Sequence, residues 1–348
     1  MGKMLGRQSI EFDKPCYVTG TGTVVGSVEG KGPLSQNFDT VLTDALWAET
    51  SWEKSERKMF REAVTLAIQK SGLDAHKINV LLGGDLLNQI ISASFAAREL
   101  GIPFLGQYGA CSTMAQTLLT GAMILESGCA ENVACAASSH YATAERQYRL
   151  PLEMGGQHTP ASQRTVTGAG SCVLQASPAP ASPATGQGSN VPRVTCATIG
   201  TVIDWGVEDA NNMGAAMAPA AAMTISQHFS DTGRGPDYYD VIVTGDLGTL
   251  GRDICNDLMI QRGFDIQGKY IDCGCEIFTP SKDIPCGGSG CGCSAVVLLS
   301  YIYKRLIERQ YKKILFVATG ALLSPTTSLQ KETIPGIAHA VALEMEES

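Results

Sequence analysis

The chain has 348 residues, 44% of them hydrophobic and 17% charged, with a formal net charge of −8. That balance belongs to a globular protein and excludes a disordered one. The acidity argues against nucleic-acid binding, because phosphates demand a basic surface and no Lys/Arg cluster supplies one. No run approaches the roughly 18 apolar residues of a spanning helix. The polar opening stretch, residues 1–14, has no apolar core of a secretory signal, so membrane association is expected to be peripheral or through a partner. Twelve irregularly spaced cysteines then read as reduced thiols rather than a disulfide framework.

In chain order, short apolar runs at residues 16–19, 80–82, 133–136, 239–243 and 314–318 read as buried strands, each followed by Gly or small residues. Helical patterns alternate with them at residues 55–71, 112–127 and 294–309. This alternation predicts a layered α/β architecture. The chain also repeats itself. Leu82-Gly83-Gly84-Asp85-Leu86 matches Val243-Thr244-Gly245-Asp246-Leu247, and Gly109-Ala110-Cys111-Ser112 before one apolar helix matches Gly288-Ser289-Gly290-Cys291 before another. Two duplicated halves are expected, residues 1–175 and 194–348, joined by a Pro/Ala/Ser/Gly-rich loop or linker at 176–193.

Cys111 is the leading candidate for chemistry. At the head of the helix it meets unpaired N–H groups and a positive dipole end, both of which favour thiolate and suggest an acyl-accepting nucleophile. A small buried hydrophobe is the competing reading. Five cysteines at 273, 275, 286, 291 and 293 raise metal binding, but Cys-x-Cys spacing lacks the knuckles of a zinc ribbon, and no metal site is expected. Gly20-Thr21-Gly22 with Gly26 has the wrong spacing for a dinucleotide loop and reads as a strand start with a flexible loop.

Gly109-Ala110-Cys111-Ser112 resembles the nucleophile loop of the thiolase and ketoacyl-synthase superfamily. Residues 166–174 resemble its Gly-rich strand turn, and 287–290 its second catalytic loop. The resemblance implies a five-layered αβαβα fold and a dimer. The departures bear on function. Where the synthase pattern carries His, this chain has Asp246. An ionised Asp accepts a proton but cannot donate into an oxyanion hole. The loop at Gly288 and Ser289 has no imidazole or amide side chain. Among the histidines, His140, His158 and His339 flank loops that can reach a cleft, His76 sits in a turn and His228 in an apolar helix; none matches the catalytic pattern.

Longer runs, at residues 148–157, 165–170, 213–220, 287–295 and 334–341, resemble the stage V sporulation AD family. That resemblance implies a protein without catalysis and without a cofactor. It would bind dipicolinic acid, with calcium as a conceivable companion, and support uptake into the developing spore and release at germination. Its implied setting is the forespore or spore inner membrane, beside other stage V sporulation A proteins. Ligand residues are sought in a cleft between two helix N-termini, where carboxylates are favoured: Cys111 and Ser112 from the first half, Asp246, Gly288 and Ser289 from the second, with His339. Arg149 is the first choice of counter-charge, with Arg146 and Arg164 beside it. Two rival readings remain open: an acyl transferase using Cys111, and a scaffold of a spore membrane complex with a vestigial pocket.

Overall fold

The computed structural model describes residues 2–148, 159–177 and 191–346. The core strands are β1 (Tyr17–Val25), β2 (Val80–Asp85), β3 (Phe104–Gly106), β4 (Asn132–Ser139), β5 (Gly168–Gln175), β6 (Arg193–Thr198), β7 (Val241–Thr244), β8 (Tyr270–Asp272), β9 (Lys313–Ala321) and β10 (Gly336–Glu344). Apart from the edge strands β3 and β8, their runs are mostly buried on both faces, as in strands covered by helices on each side. The strand order is β8-β7-β9-β10-β6-β1-β5-β4-β2-β3. Read inward from either edge, the chain order within each half is third, second, fourth, fifth, first. The pairing matches as well. In each half the second strand lies parallel to the third and fourth, and the fifth runs antiparallel to its neighbours. The halves meet where β6 pairs with β1 at Arg193 and Tyr17.

The helices are α1 (Trp52–Lys70), α2 (Ile91–Leu100), α3 (Thr113–Ser127), α4 (Tyr141–Tyr148), α5 (Met213–Thr232), α6 (Gly248–Gln261) and α7 (Cys291–Val297), the last continued by a π turn over Leu298–Ile302 and a further turn over Tyr303–Ile307. Helices α1 and α2 cover the outer face of the first half, and α5 and α6 that of the second. Helix α3 touches β2 and β4 on one side and β9 and β10 on the other, and α7 packs beside it against β4, β5 and β9. The layers are therefore α/β/α/β/α, with two apolar helices in the middle.

Local signals mark where α1 starts and where α3 stops. Ser51 caps α1 by accepting from the Lys54 N–H at 3.3 Å. Helix α3 ends on left-handed Gly128, φ 78°. Two sequence expectations shift. The apolar helix sought from residue 294 begins earlier, at Cys291, because Gly290, φ 100°, supplies the turn that starts it. Gly20-Thr21-Gly22 is no loop but the middle of β1. A Cβ on Gly20 or Gly22 would stand 2.2 Å from the Ala67 or Ala63 carbonyl oxygen, so these glycines let α1 lie directly on the strand. The expected linker at 176–193 falls largely outside the described residues.

Candidate functional site

Cys111 sits on the elbow between β3 and α3. Ala110 before it holds φ 49°, an unusual conformation for a residue with a Cβ. The elbow is pinned from within: Ser112 Oγ donates to the Gly109 carbonyl at 2.6 Å, and Thr113 Oγ1 to the Ala110 carbonyl at 2.7 Å. It is also pinned from the second half. Gly320 on β9 presses on it so closely that a Cβ there would lie 2.3 Å from the Gly109 oxygen.

Asp246 arrives from the end of β7 and is fully buried. Its Oδ2 accepts from the Gly290 N–H at 2.7 Å and from Ser289 Oγ at 3.4 Å, and its Oδ1 accepts from Thr319 Oγ1 at 2.9 Å. The Cys111 thiol lies beside the same carboxyl, close enough for each to shift the other's acidity. Asp272, at the end of β8, holds the turn after Asp246 by accepting from the Leu247 and Gly248 N–H groups at 2.8 and 2.9 Å. Gln163 ties the turn to the next loop, its Nε2 donating to the Asp246 and Gly288 carbonyls at 2.8 and 2.7 Å. That loop carries Gly288 and Ser289 as a short strand paired in parallel with Arg164 and Thr165. Ser289 of the second half is thus delivered over Cys111 of the first.

Burial pushes the Asp246 carboxyl up to about 7. Burial and then the Asp246 charge push the Cys111 thiol well above its ordinary range. This corrects the expectation from the helix dipole: desolvation and an adjacent acid outweigh the helix end. A cavity of about 40 Å³ stands over the thiol and opens outward, walled by residues that include Leu86, Tyr108, Tyr148, Met213 and Leu323, with Ser289 beside Cys111. The two phenols stand close together on this wall, and Tyr148 donates to the Leu86 carbonyl at 2.9 Å. Among the described residues no Lys, Arg or His lines this cavity.

The structure brings Cys111, Asp246, Gly288 and Ser289 together. Ser112 lies next to them as the cap of α3, with its hydroxyl turned back into the elbow. His339, on β10, is elsewhere: its Nδ1 accepts from the Gly200 N–H at 3.2 Å, and burial pushes it down to about 4. His140 is engaged through Nε2 with the Ala45 carbonyl, and His228 with Thr198 and Tyr239. Arg146 pairs with Glu53, and Arg164 stacks over the Tyr141 ring at 3.9 Å. Arg149 and His158 lie outside the described residues. All twelve cysteines are free, and among the described residues no cluster of His, Cys, Asp and Glu is arranged to hold a metal ion. Sequence reasoning missed Tyr108, Tyr148, Gln163 and Thr319. Tyr148 was visible inside a family-like run, but nothing local tied it to Cys111.

Comparisons with known proteins fit this arrangement. Among solved structures, the chain resembles an OleA from Xanthomonas campestri (TM-score 0.61, 12% identity, 96% of this chain and 97% of that one). It also resembles 3-oxoacyl-[acyl-carrier-protein] synthase III from Aquifex aeolicus (TM-score 0.58, 12% identity, 94% and 99%) and human mitochondrial 3-ketoacyl-CoA thiolase (TM-score 0.56, 12% identity, 96% and 99%). At such identities the likeness establishes a thiolase-like fold. By sequence, the chain is 45% identical over 342 residues to the stage V sporulation protein AD of Bacillus subtilis (strain 168), covering 98% of each. The family profile for stage V sporulation protein AD (SpoVAD) matches residues 6–344, and the chain belongs to that family.

Proposed function

We propose that this protein binds dipicolinic acid in the cavity over Cys111 and does not turn over acyl substrates. The observation that carries the reading is the company Cys111 keeps. Its neighbour is a buried carboxyl and not an imidazole, and its thiol is held protonated, so it makes a poor nucleophile. Acyl transfer needs a base that also returns a proton to the leaving group. The histidines at 140, 228 and 339 are committed elsewhere. A flat, rigid pyridine dicarboxylate suits a slot with two phenols on its wall and loses little conformational entropy on binding. The resting cavity, about 40 Å³, is smaller than such a ligand, so entry must widen it.

The wider setting proposed here is the one that the resemblance to the stage V sporulation AD family implies. The protein works in dipicolinate uptake by the developing spore and in release at germination. It sits peripherally at the spore inner membrane with other stage V sporulation A proteins; no helix among the described residues is long and apolar enough to cross a membrane. It pairs with a second copy through β3, an edge strand that leaves Leu105 54% and neighbouring Phe95 42% exposed.

Calorimetric titration of dipicolinate into the native protein tests the reading, beside two pocket-filling variants, Cys111→Trp at the floor and Leu323→Trp at the rim. Saturable binding is expected, and either variant should lose it while keeping its circular dichroism spectrum. No binding by the native protein, or full binding by both folded variants, would remove the cavity as the ligand site.

A further inference from the structure

An anion pocket normally contains a cation. Here the centre of the candidate site is an acid. Asp246 is fully buried, and its hydrogen-bond partners, the Gly290 N–H and the Ser289 and Thr319 hydroxyls, are neutral donors. Among the described residues, the titratable groups that face it from neighbouring elements are Cys111 before α3, Cys291 and Cys293 on α7, Asp272 at the end of β8 and Cys273 after it. Each of these is an acid, so none compensates an added negative charge. A dianion laid against Ser289 and Cys111 therefore meets the Asp246 carboxylate at short range in a water-poor site, where uncompensated like charges are costly. The cheapest relief is neutralisation of the carboxylate from solvent.

Resting on the dipicolinate reading above, we infer that the pocket takes up one proton with each dianionic ligand and that Asp246 receives it. The hydrogen bonds accommodate the change. The Gly290 N–H must keep an acceptor, so Oδ2 stays bare and the proton goes to Oδ1. Thr319, whose hydroxyl can accept as well as donate, turns to receive it. No covalent bond changes; one proton moves from water to the carboxyl. Burial already holds Asp246 near neutrality, at about 7, so the proton is available where the ligand is fully ionised.

The sign of the linkage follows. Below about 7 the free carboxyl already carries its proton, so binding takes up none and affinity is flat. Above it, the free group is ionised while the bound one is protonated, so affinity falls by up to about tenfold per pH unit. The Asp246→Asn side chain still accepts from Gly290 but cannot ionise, so its affinity should not change with pH.

The test is calorimetry of dipicolinate binding near pH 8, with a calcium chelator present, in two buffers of different ionisation enthalpy. Native protein is expected to take up close to one proton per ligand, and the binding that Asp246→Asn shows, at whatever affinity, is expected to take up none. Native binding without proton uptake, or uptake that persists in Asp246→Asn, overturns the inference and leaves the ligand assignment standing. If the variant does not fold, the native buffer comparison and its pH profile still decide whether a proton accompanies the ligand. No binding by the native protein at any pH overturns the ligand reading and this inference with it.

Discussion

At the scale of the residue, Cys111 shows how position and environment differ. Its place at the head of an apolar helix was plain in the sequence, as was Asp246 where the synthase pattern has His. The direction of the thiol's acidity was not. That depends on burial and on a carboxyl 135 positions away, and neither has a local signature. Reactivity should follow the environment. Cys129 is the exposed cysteine, and Cys111 is buried with its thiol held protonated. Limited alkylation at neutral pH, read by peptide mass spectrometry, should modify Cys129 well before Cys111. Preferential labelling of Cys111 would mean that its thiolate is stabilised, and would favour the acyl-transfer reading. The three arginines show the other limit. Arg146 and Arg164 are near the cleft loops in sequence, yet the structure commits each to a neighbour on the first half, Glu53 and the Tyr141 ring.

At the scale of the element, strand and helix cores were legible because apolar runs and cap residues mark them directly. The ends were not. Residues 16–19 grew into Tyr17–Val25 because Gly20 and Gly22 look like loop formers in isolation. Their purpose is contact with α1, which only the packed structure reveals. A methyl group at Gly22 would lie 2.2 Å from the Ala63 oxygen and 2.8 Å from the Ala67 nitrogen. Because those atoms are helix backbone, α1 has to move. Gly22→Ala should destabilise the fold by about 1–3 kcal/mol, in the range of overpacked cores. Denaturant unfolding should show a lower midpoint at unchanged slope. An unchanged midpoint would mean that α1 is not held against β1 as closely as described.

At the scale of the whole molecule, the matching Gly-Asp-Leu and Gly-rich loop segments anticipated two related halves, and the strand order reads the same from both edges. The site's assembly was harder to see, since Ser289 reaches Cys111 through the ladder between Gly288–Ser289 and Arg164–Thr165, and no periodicity predicts a two-residue ladder across the halves. The same architecture leaves β3 at an open edge. If that edge joins two copies, Leu105→Lys should shift the protein toward monomer in analytical ultracentrifugation, with the secondary structure intact; an undisturbed dimer would place the interface elsewhere.

The central claim is that the cavity over Cys111 is a ligand site. Its most direct test is a crystal structure of the protein grown with dipicolinate. The pyridine ring is expected beside Tyr108 and Tyr148, with a carboxylate at Ser289 and no covalent bond to Cys111. Dipicolinate bound at a different site, with this cavity unchanged, would contradict it.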